Sequence, residues 1–337
     1  MKGAIVGFGE VARYGHWPAY AASDRLRIVA VVDRAAARRD AAARLAPTPR
    51  TYATLDALAA AETIDFIDIC TPPAHHAAPM HAALERGWHV VCEKPFLLDA
   101  EELTRVRGLA EARGLAVVPV HNWAFAPIVR DATARLRRDT IGRLQRVEIE
   151  TERIRDFRGA GSARANWRRD PAIAGGGILM DHGWHAMYLV LQWFATRPIS
   201  LAAAFHRPEP GAVEDEADVR LRFSAGEASI RLTWNGAARR NVIRLVGDRG
   251  SMTVDDDRLI VQSQTGGETV TYPEALSSGS HHADWFAAFI PQLAEYFSRP
   301  QTSFVAFDEA AACLDLIQRA YDSASDPHIG RSHGPLT

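Results

Sequence analysis

Through the first third of the chain, short apolar runs alternate with alanine-rich stretches of helical period. The runs fall at residues 4–8, 28–33, 66–70, 89–92 and 116–120, with helical stretches at 11–22, 35–45, 55–61, 77–86 and 101–112. Unbroken apolar runs are expected of strands covered on both faces. Their alternation with helices predicts βαβ units and a parallel, doubly wound sheet. Gly87 and Gly114 stand where helix C-caps are expected. Asp99 followed by Glu102 reads as an N-cap with its N3 partner.

After about Asn122 the period changes. Residues 144–153 alternate, with Leu144, Val147 and Ile149 separated by polar positions. Similar segments follow at 218–223, 228–234, 242–246, 252–254, 259–262 and 269–272, punctuated by Gly226, Asn235-Gly236, Gly247 to Gly250 and Gly266-Gly267. This predicts an antiparallel meander with one buried face. An amphipathic helix is expected at 283–297. A final one at 308–323 puts Cys313, Leu314, Ile317 and Tyr321 on one stripe. The expected boundary lies at 122/123, with 1–122 as one domain and 123–337 as the other. The tail from Asp326 is polar and expected to wrap or fray.

Composition narrows the function. A chain of 337 residues with net charge −2 has no footprint of a general nucleic-acid binder. Its three cysteines (Cys70, Cys92, Cys313) lie far apart, with neither metal-type spacing nor a disulfide framework, so a reducing, cytoplasmic setting is expected. Met1-Lys2-Gly3 runs straight into an expected strand, so no signal peptide is expected. No run of 18 apolar residues predicts a membrane span. His75, His76 and His81 lack a carboxylate or thiol partner in sequence, so no metal site is expected.

Gly7-Phe8-Gly9-Glu10-Val11-Ala12 follows the first strand and opens a helix. In such a turn the first glycine permits the bend, the second lets backbone approach a pyrophosphate, and a small third residue lets helix and strand pack closely. Helix N-termini favour anions, so the pyrophosphate is expected near Val11. Asp33 ends the second strand, 21 residues after Ala12, where a carboxylate bonds ribose hydroxyls. Its charge favours NAD over NADP, with Arg34 partly offsetting it. Thr71-Pro72 ends the next central strand, at the edge where open α/β sheets bind ligands. Glu93-Lys94-Pro95 also falls at a strand end, aiming Lys94 at the same crevice.

The chain resembles a known family through Gly7-x-Gly9-x-x-Ala12, Thr71-Pro72-x-x-x-His76, Glu93-Lys94-Pro95, Asn166-Trp167-Arg168, Gly175-Gly176-Gly177-x-Leu179-x-Asp181-x-Gly183-x-His185 and Val246-Gly247-x-x-Gly250-Ser251. In this order they are similar to the glucose–fructose oxidoreductase/inositol dehydrogenase (Gfo/Idh/MocA) family. The resemblance implies an α/β fold: an N-terminal Rossmann domain with a parallel doubly wound sheet, then a C-terminal α/β domain with a large, mostly antiparallel open sheet. It implies NAD or NADP, a sugar, cyclitol or polyol substrate, and homodimers or homotetramers formed through the second sheet. His76 and Asn122 are implied on the cofactor side. Two positions depart from the family pattern: Tyr188 stands where an Asp often follows the histidine, and Ala124 where an Arg is common.

The chemistry follows from residue types. Oxidising a secondary alcohol removes hydride from carbon and a proton from oxygen. His185 titrates near neutrality and suits the proton-accepting role. Lys94 sets a positive charge beside the developing alkoxide. Asp181, four residues before His185, shares its helix face and can hold the hydroxyl or the imidazole. The triple glycine is expected to bring the chain close to cofactor or substrate. Trp167, Trp184 and Arg168 are candidates for contacting a sugar, with Lys94, Asn122, Asp181 and His185. Arg153, Arg155, Arg158, Arg164, Arg168 and Arg169 crowd one segment, and guanidinium forks suit a phosphate or carboxylate on the substrate. An alternative is a glycoside hydrolase that uses NAD transiently, by oxidation and elimination.

Overall fold

The computed structural model describes residues 1–156, 166–264 and 266–325. Among these residues two compact units form, one of residues 1–125 with 279–311 and one of the described residues of 126–278 with 312–325. Residues 279–311, expected in the second domain, group with the first unit.

In the first unit, β1 (Lys2–Val6), β2 (Arg27–Val32), β3 (Arg50–Tyr52), β4 (Phe66–Ile69), β5 (His89–Cys92) and β6 (Val117–Pro119) make one parallel sheet of order β3-β2-β1-β4-β5-β6. The order reverses at β1, placing the switch point of a Rossmann sheet beside the glycine turn. All four residues of β4 are buried, Asp68 included, as in a central strand covered on both faces. The first helical stretch opens as a π turn, Val11–His16, and continues as α1 (Trp17–Ala21). The remaining crossovers are α2 (Ala36–Ala42), α3 (Leu55–Ala61), α4 (Ala77–Glu85) and α5 (Ala100–Arg113). Asp99 caps α5 by accepting from the N–H groups of Glu101 and Glu102, and Gly114 closes it in the left-handed conformation, as expected.

The second unit begins with α6 (Pro127–Arg137) and β7 (Leu144–Glu152). A four-residue helix, α7 (Pro171–Ala174), is followed by a π turn, Leu179–Gly183, that leads into α8 (Trp184–Phe194). Seven strands follow: β8 (Ser200–His206), β9 (Glu216–Arg222), β10 (Glu227–Thr233), β11 (Arg240–Gly247), β12 (Gly250–Asp255), β13 (Arg258–Ser263) and β14 (Gly266–Thr271). Their sheet order is β14-β13-β12-β11-β7-β10-β9-β8. Every pair is antiparallel except β7 with β10. Along β9 and β10 each buried residue is followed by an exposed or half-buried one, the signature of a sheet covered on one face.

The expected helix at 283–297 is α9 (Ala283–Ser298), and it packs in the core of the first unit. Its Phe286, Phe289, Leu293 and Phe297 are each no more than 4% exposed. Burying each is worth about 1.5–3 kcal/mol. The last helix, α10 (Ser303–Ser325), starts five residues before the expected 308. The tail from Asp326 lies outside the described residues. No described helix is long and apolar enough to cross a membrane.

Candidate functional site

On the first unit the carboxyl edge of the sheet gathers most of the expected cofactor residues. Gly7 follows β1 with φ +87°, and a Cβ there would stand 2.7 Å from the Thr71 methyl group, so only glycine fits. Gly9 has open space where a Cβ would be. Glu10 and Val11, both half-buried, lead into the π turn. A close backbone approach by a pyrophosphate needs this arrangement. Asp33 is buried; its Oδ2 accepts the Phe8 N–H at 2.8 Å and its Oδ1 the Ala35 N–H at 2.8 Å. The carboxylate thus ties the glycine turn to the end of β2, while Arg34 beside it is exposed. Thr71 and Pro72 follow β4, both half-buried.

His76 sits deeper than a ligand contact requires. It is fully buried, with Nδ1 3.0 Å from the Phe96 oxygen and Nε2 2.7 Å from the Thr71 oxygen. Burial pushes its pKa below the ordinary value. A neutral ring donates to only one of these two oxygens, so it sits between the loop after β5 and the end of β4 and hydrogen-bonds one of them.

Glu93 is buried and Lys94 half-buried immediately after β5. Glu93 Oε2 accepts the Lys94 backbone N–H at 3.0 Å, and its Oε1 lies 2.9 Å from His16 Nε2. Burial acts to raise the Glu93 carboxyl, yet the hydrogen bond and charge of His16, with the Lys94 charge, hold it below its ordinary value. Lys94 is one of only two lysines in the chain, the other being Lys2, among 39 basic residues of which the rest are arginine. In so arginine-biased a chain, Lys94 places a compact ammonium where a guanidinium would be the commoner cation. That bias was available in the sequence. Asn122, just after β6, has a buried Oδ1 with no hydrogen-bond partner among the described residues, an acceptor suited to an amide N–H such as that of a nicotinamide carboxamide. The neighbouring His121 is buried and pushed down to about 3 by that burial.

On the second unit the triple glycine, Asp181 and His185 belong to one local construction. Gly175 ends α7 with φ +79°. A Cβ on Gly176 would meet the Tyr321 hydroxyl at 2.1 Å, and one on Gly177 the Glu214 backbone oxygen at 1.9 Å. The close approach expected of this run is therefore made to Tyr321 and Glu214, in the same unit. The Glu214 carboxylate accepts from the N–H groups of Gly177 and Leu179. This fixes the entry to the π turn that carries Asp181. Glu214 went unnoticed in the sequence, where its only signal is the acidic run Glu214-Asp215-Glu216.

Asp181 is half-buried in that turn, with Arg168 Nε 3.4 Å from its Oδ2. The Arg168 guanidinium also lies 4.2 Å over the Trp167 ring. His185, in the first turn of α8, is 5% exposed. Trp184 is fully buried, so its ring serves the core and offers no face to a sugar. Two of the described arginines of the segment, Arg153 and Arg169, are engaged within their own unit. Arg153 is buried, donating to the oxygens of Glu152 and Arg240 and to Asn241 Oδ1, with burial lowering its pKa to about 10. Arg169 pairs with Asp156 at 3.2 Å. Arg155 is exposed. Arg158 and Arg164 lie outside the described residues.

Comparison with known proteins gives the family. Residues 1–121 match the model of an oxidoreductase family with an NAD-binding Rossmann fold, and residues 129–253 match the GFO/IDH/MocA C-terminal domain. An oxidoreductase of Schizosaccharomyces pombe is 29% identical over 69% of this chain and 62% of its own. A D-apiose dehydrogenase of Paraburkholderia graminis is 27% identical over 80% of this chain and 72% of its own. The matched stretches span 51% to 62% of the length of the first four curated relatives. An oxidoreductase of Agrobacterium radiobacter, solved with NAD+, L-tartaric acid and magnesium, has the same fold. It superposes with a TM-score of 0.84 over 97% of this chain and 96% of its own, at 20% identity. With both domain models of one family matched in order along it, the chain belongs to the GFO/IDH/MocA oxidoreductase family.

Proposed function

We propose that this protein is a nicotinamide-dependent dehydrogenase that oxidises a secondary alcohol of a sugar, cyclitol or polyol. The observation that carries the reading is Lys94. It is the one lysine beyond Lys2, it follows a central strand of a Rossmann sheet, and its own N–H is fixed by a buried carboxylate. Gly7, Gly9 and Asn122, with the open space at Gly9 and the unpartnered Asn122 oxygen, fit a bound dinucleotide. When bound, the nicotinamide accepts hydride from the carbinol carbon. Lys94 stabilises the negative charge that grows on the carbinol oxygen. His185 takes the hydroxyl proton, and Asp181, oriented by Arg168, holds the hydroxyl. Asp33 favours NAD.

Arg168, which lies beside Asp181, is the described arginine of that segment that we assign to an anionic group on the substrate. It selects a substrate with a carboxylate or phosphate over its neutral parent. The exposed sheet face carrying Asp218, Arg220, Arg231 and Arg244 pairs two copies of the chain.

The test is a panel of D-xylose, D-apiose, levoglucosan, myo-inositol, D-glucuronate and D-glucose 6-phosphate with NAD and NADP, following reduced cofactor. Net reduced cofactor with at least one compound supports the reading. Turnover of a glycoside without net reduction would replace it by the hydrolase alternative. Lys94→Ala is expected to cut turnover by roughly a hundredfold or more, with NADH affinity held within about twofold. Unchanged turnover would remove Lys94 from the mechanism.

A further inference from the structure

A charged cluster lies buried in the first unit, behind the loop that carries Lys94. His16, the last residue of the π turn, is 2% exposed. Its Nδ1 stands 2.7 Å from Asp68 Oδ2 and its Nε2 2.9 Å from Glu93 Oε1. Its ring stacks on Phe286 of α9 at 3.8 Å. Asp68 is fully buried in the centre of β4. Cys70 Sγ lies 3.3 Å from the same Nδ1.

A neutral imidazole donates from one nitrogen only, and an ionised carboxylate donates nothing. Two carboxylates on two ring nitrogens therefore require one extra proton, and the ring carries it between them. Burial opposes the charge on His16, but Asp68 and Cys70 together hold the imidazole well above its ordinary range. Burial and Asp68 push the Cys70 thiol up to about 12, so it stays neutral. The other titratable groups facing the cluster are Tyr20 from α1, Cys92 from β5, His121 after β6, and Lys94 itself.

We propose that His16 is a positioning residue for Lys94: gripped on both sides by carboxylates, it fixes Glu93, whose second oxygen fixes the backbone from which the Lys94 ammonium projects. The clamp joins the dinucleotide turn, β4 and the end of β5 at one ring. Displacement of a catalytic group by an ångström costs on the order of a hundredfold in rate, so rigidity at this joint matters to turnover. The inference rests on the role given to Lys94 above.

The test uses the scarcity of lysine. Reductive methylation with isotope-labelled formaldehyde marks only Lys2, Lys94 and the amino terminus, and Lys94→Ala identifies the Lys94 signal by NMR. His16→Gln, whose two N–H donors sit on one nitrogen and cannot reach the carboxylates on opposite sides of the ring, is expected to move that signal toward the position of exposed Lys2. On whichever panel compound is oxidised, it is expected to lower kcat roughly 10- to 100-fold, with KM and NADH affinity within about threefold. Glu93→Gln is expected to do the same, and the double variant to lose no more than Glu93→Gln alone.

A purely structural His16 would lower Tm and NADH affinity and leave the Lys94 signal in place, which overturns the clamp. If His16→Gln does not fold, Glu93→Gln carries the same readouts, and an unmoved signal there overturns it too. Zinc found by elemental analysis in the purified parent and absent from His16→Gln would mean that a cation joins His16, Asp68 and Cys70, and would also overturn it. Should Lys94→Ala keep full turnover, or no panel compound react, the reading of function fails while the NMR signal still decides the clamp.

Discussion

The Tyr321 hydroxyl donates a 2.8 Å hydrogen bond to Glu214 Oε1, the same oxygen that accepts the N–H groups of Gly177 and Leu179. Three donors on one buried oxygen make Glu214 the anchor of the turn that presents Asp181. Tyr321→Phe removes one donor and leaves the carboxylate buried with fewer partners. Such a loss costs about 1–3 kcal/mol. Urea unfolding of the variant is expected to show a lower midpoint with an unchanged slope. A midpoint equal to that of the parent would show that Glu214 needs only its backbone donors.

Glu214 also predicts a pH dependence. Burial outweighs its donors and holds the carboxyl above its ordinary value of 4.5. The folded protein therefore binds this proton more tightly than the unfolded chain does. The resulting stabilisation is complete below the unfolded carboxyl's pKa and is lost as pH rises through the higher folded value. Wild-type Tm is expected to decline relative to that of Glu214→Gln as pH is raised from acid to neutral. Parallel curves for the two proteins would rule the effect out.

Two glycines of one turn separate folding from cofactor binding. Gly7 has positive φ, and a Cβ there collides with Thr71; Gly9 has neither constraint. Gly7→Ala is expected to lower stability by about 1–3 kcal/mol. Gly9→Ala is expected to leave stability within about 0.5 kcal/mol, because its new methyl group points into open space. That space is where a pyrophosphate must approach, so NADH affinity is expected to fall roughly tenfold or more. Thermal melts and fluorescence titrations of both variants check the pair. Gly9→Ala with undiminished NADH affinity would place the pyrophosphate elsewhere.

The Rossmann core was legible because its strands are covered on both faces and so read as plain apolar runs. β3 was not, because Arg50-Thr51-Tyr52 is an edge strand of three residues, none of them buried. β8 was missed for another reason: Leu201-Ala202-Ala203-Ala204 has the composition of a helix, and only its pairing with β9 makes it a strand. In α6, Pro127 marks a first helical turn, and a strong apolar stripe follows that went unread. For the proposed site, the motifs named Lys94, Asp181 and His185 as candidates, but pointed to neither His16 nor Glu214. Asp68 was the available clue to His16: a carboxylate inside Phe66-Ile67-Asp68-Ile69, a run buried on both faces, demands a charged or hydrogen-bonding partner. Sequence names that need without naming the partner, which lies 52 residues away along the chain.

Asp33 gives the sharpest prediction on cofactor choice. Its oxygens accept the Phe8 and Ala35 N–H groups, and Arg38 approaches Oδ2 at 3.4 Å. A 2′-phosphate brought to this strand end meets the carboxylate's charge at close range, which disfavours NADPH. In Asp33→Ser the repulsion is gone, and Arg38 and exposed Arg34 are left to pair with the phosphate. The ratio of NADPH to NADH affinity is expected to rise roughly tenfold or more, equivalent to about 1.4 kcal/mol. Loss of the carboxylate also releases the Phe8 N–H, at a cost to stability of about 1 kcal/mol. Fluorescence titration of both cofactors against parent and variant measures the ratio. A variant that keeps the parent's selectivity would mean that discrimination at the ribose lies with other residues.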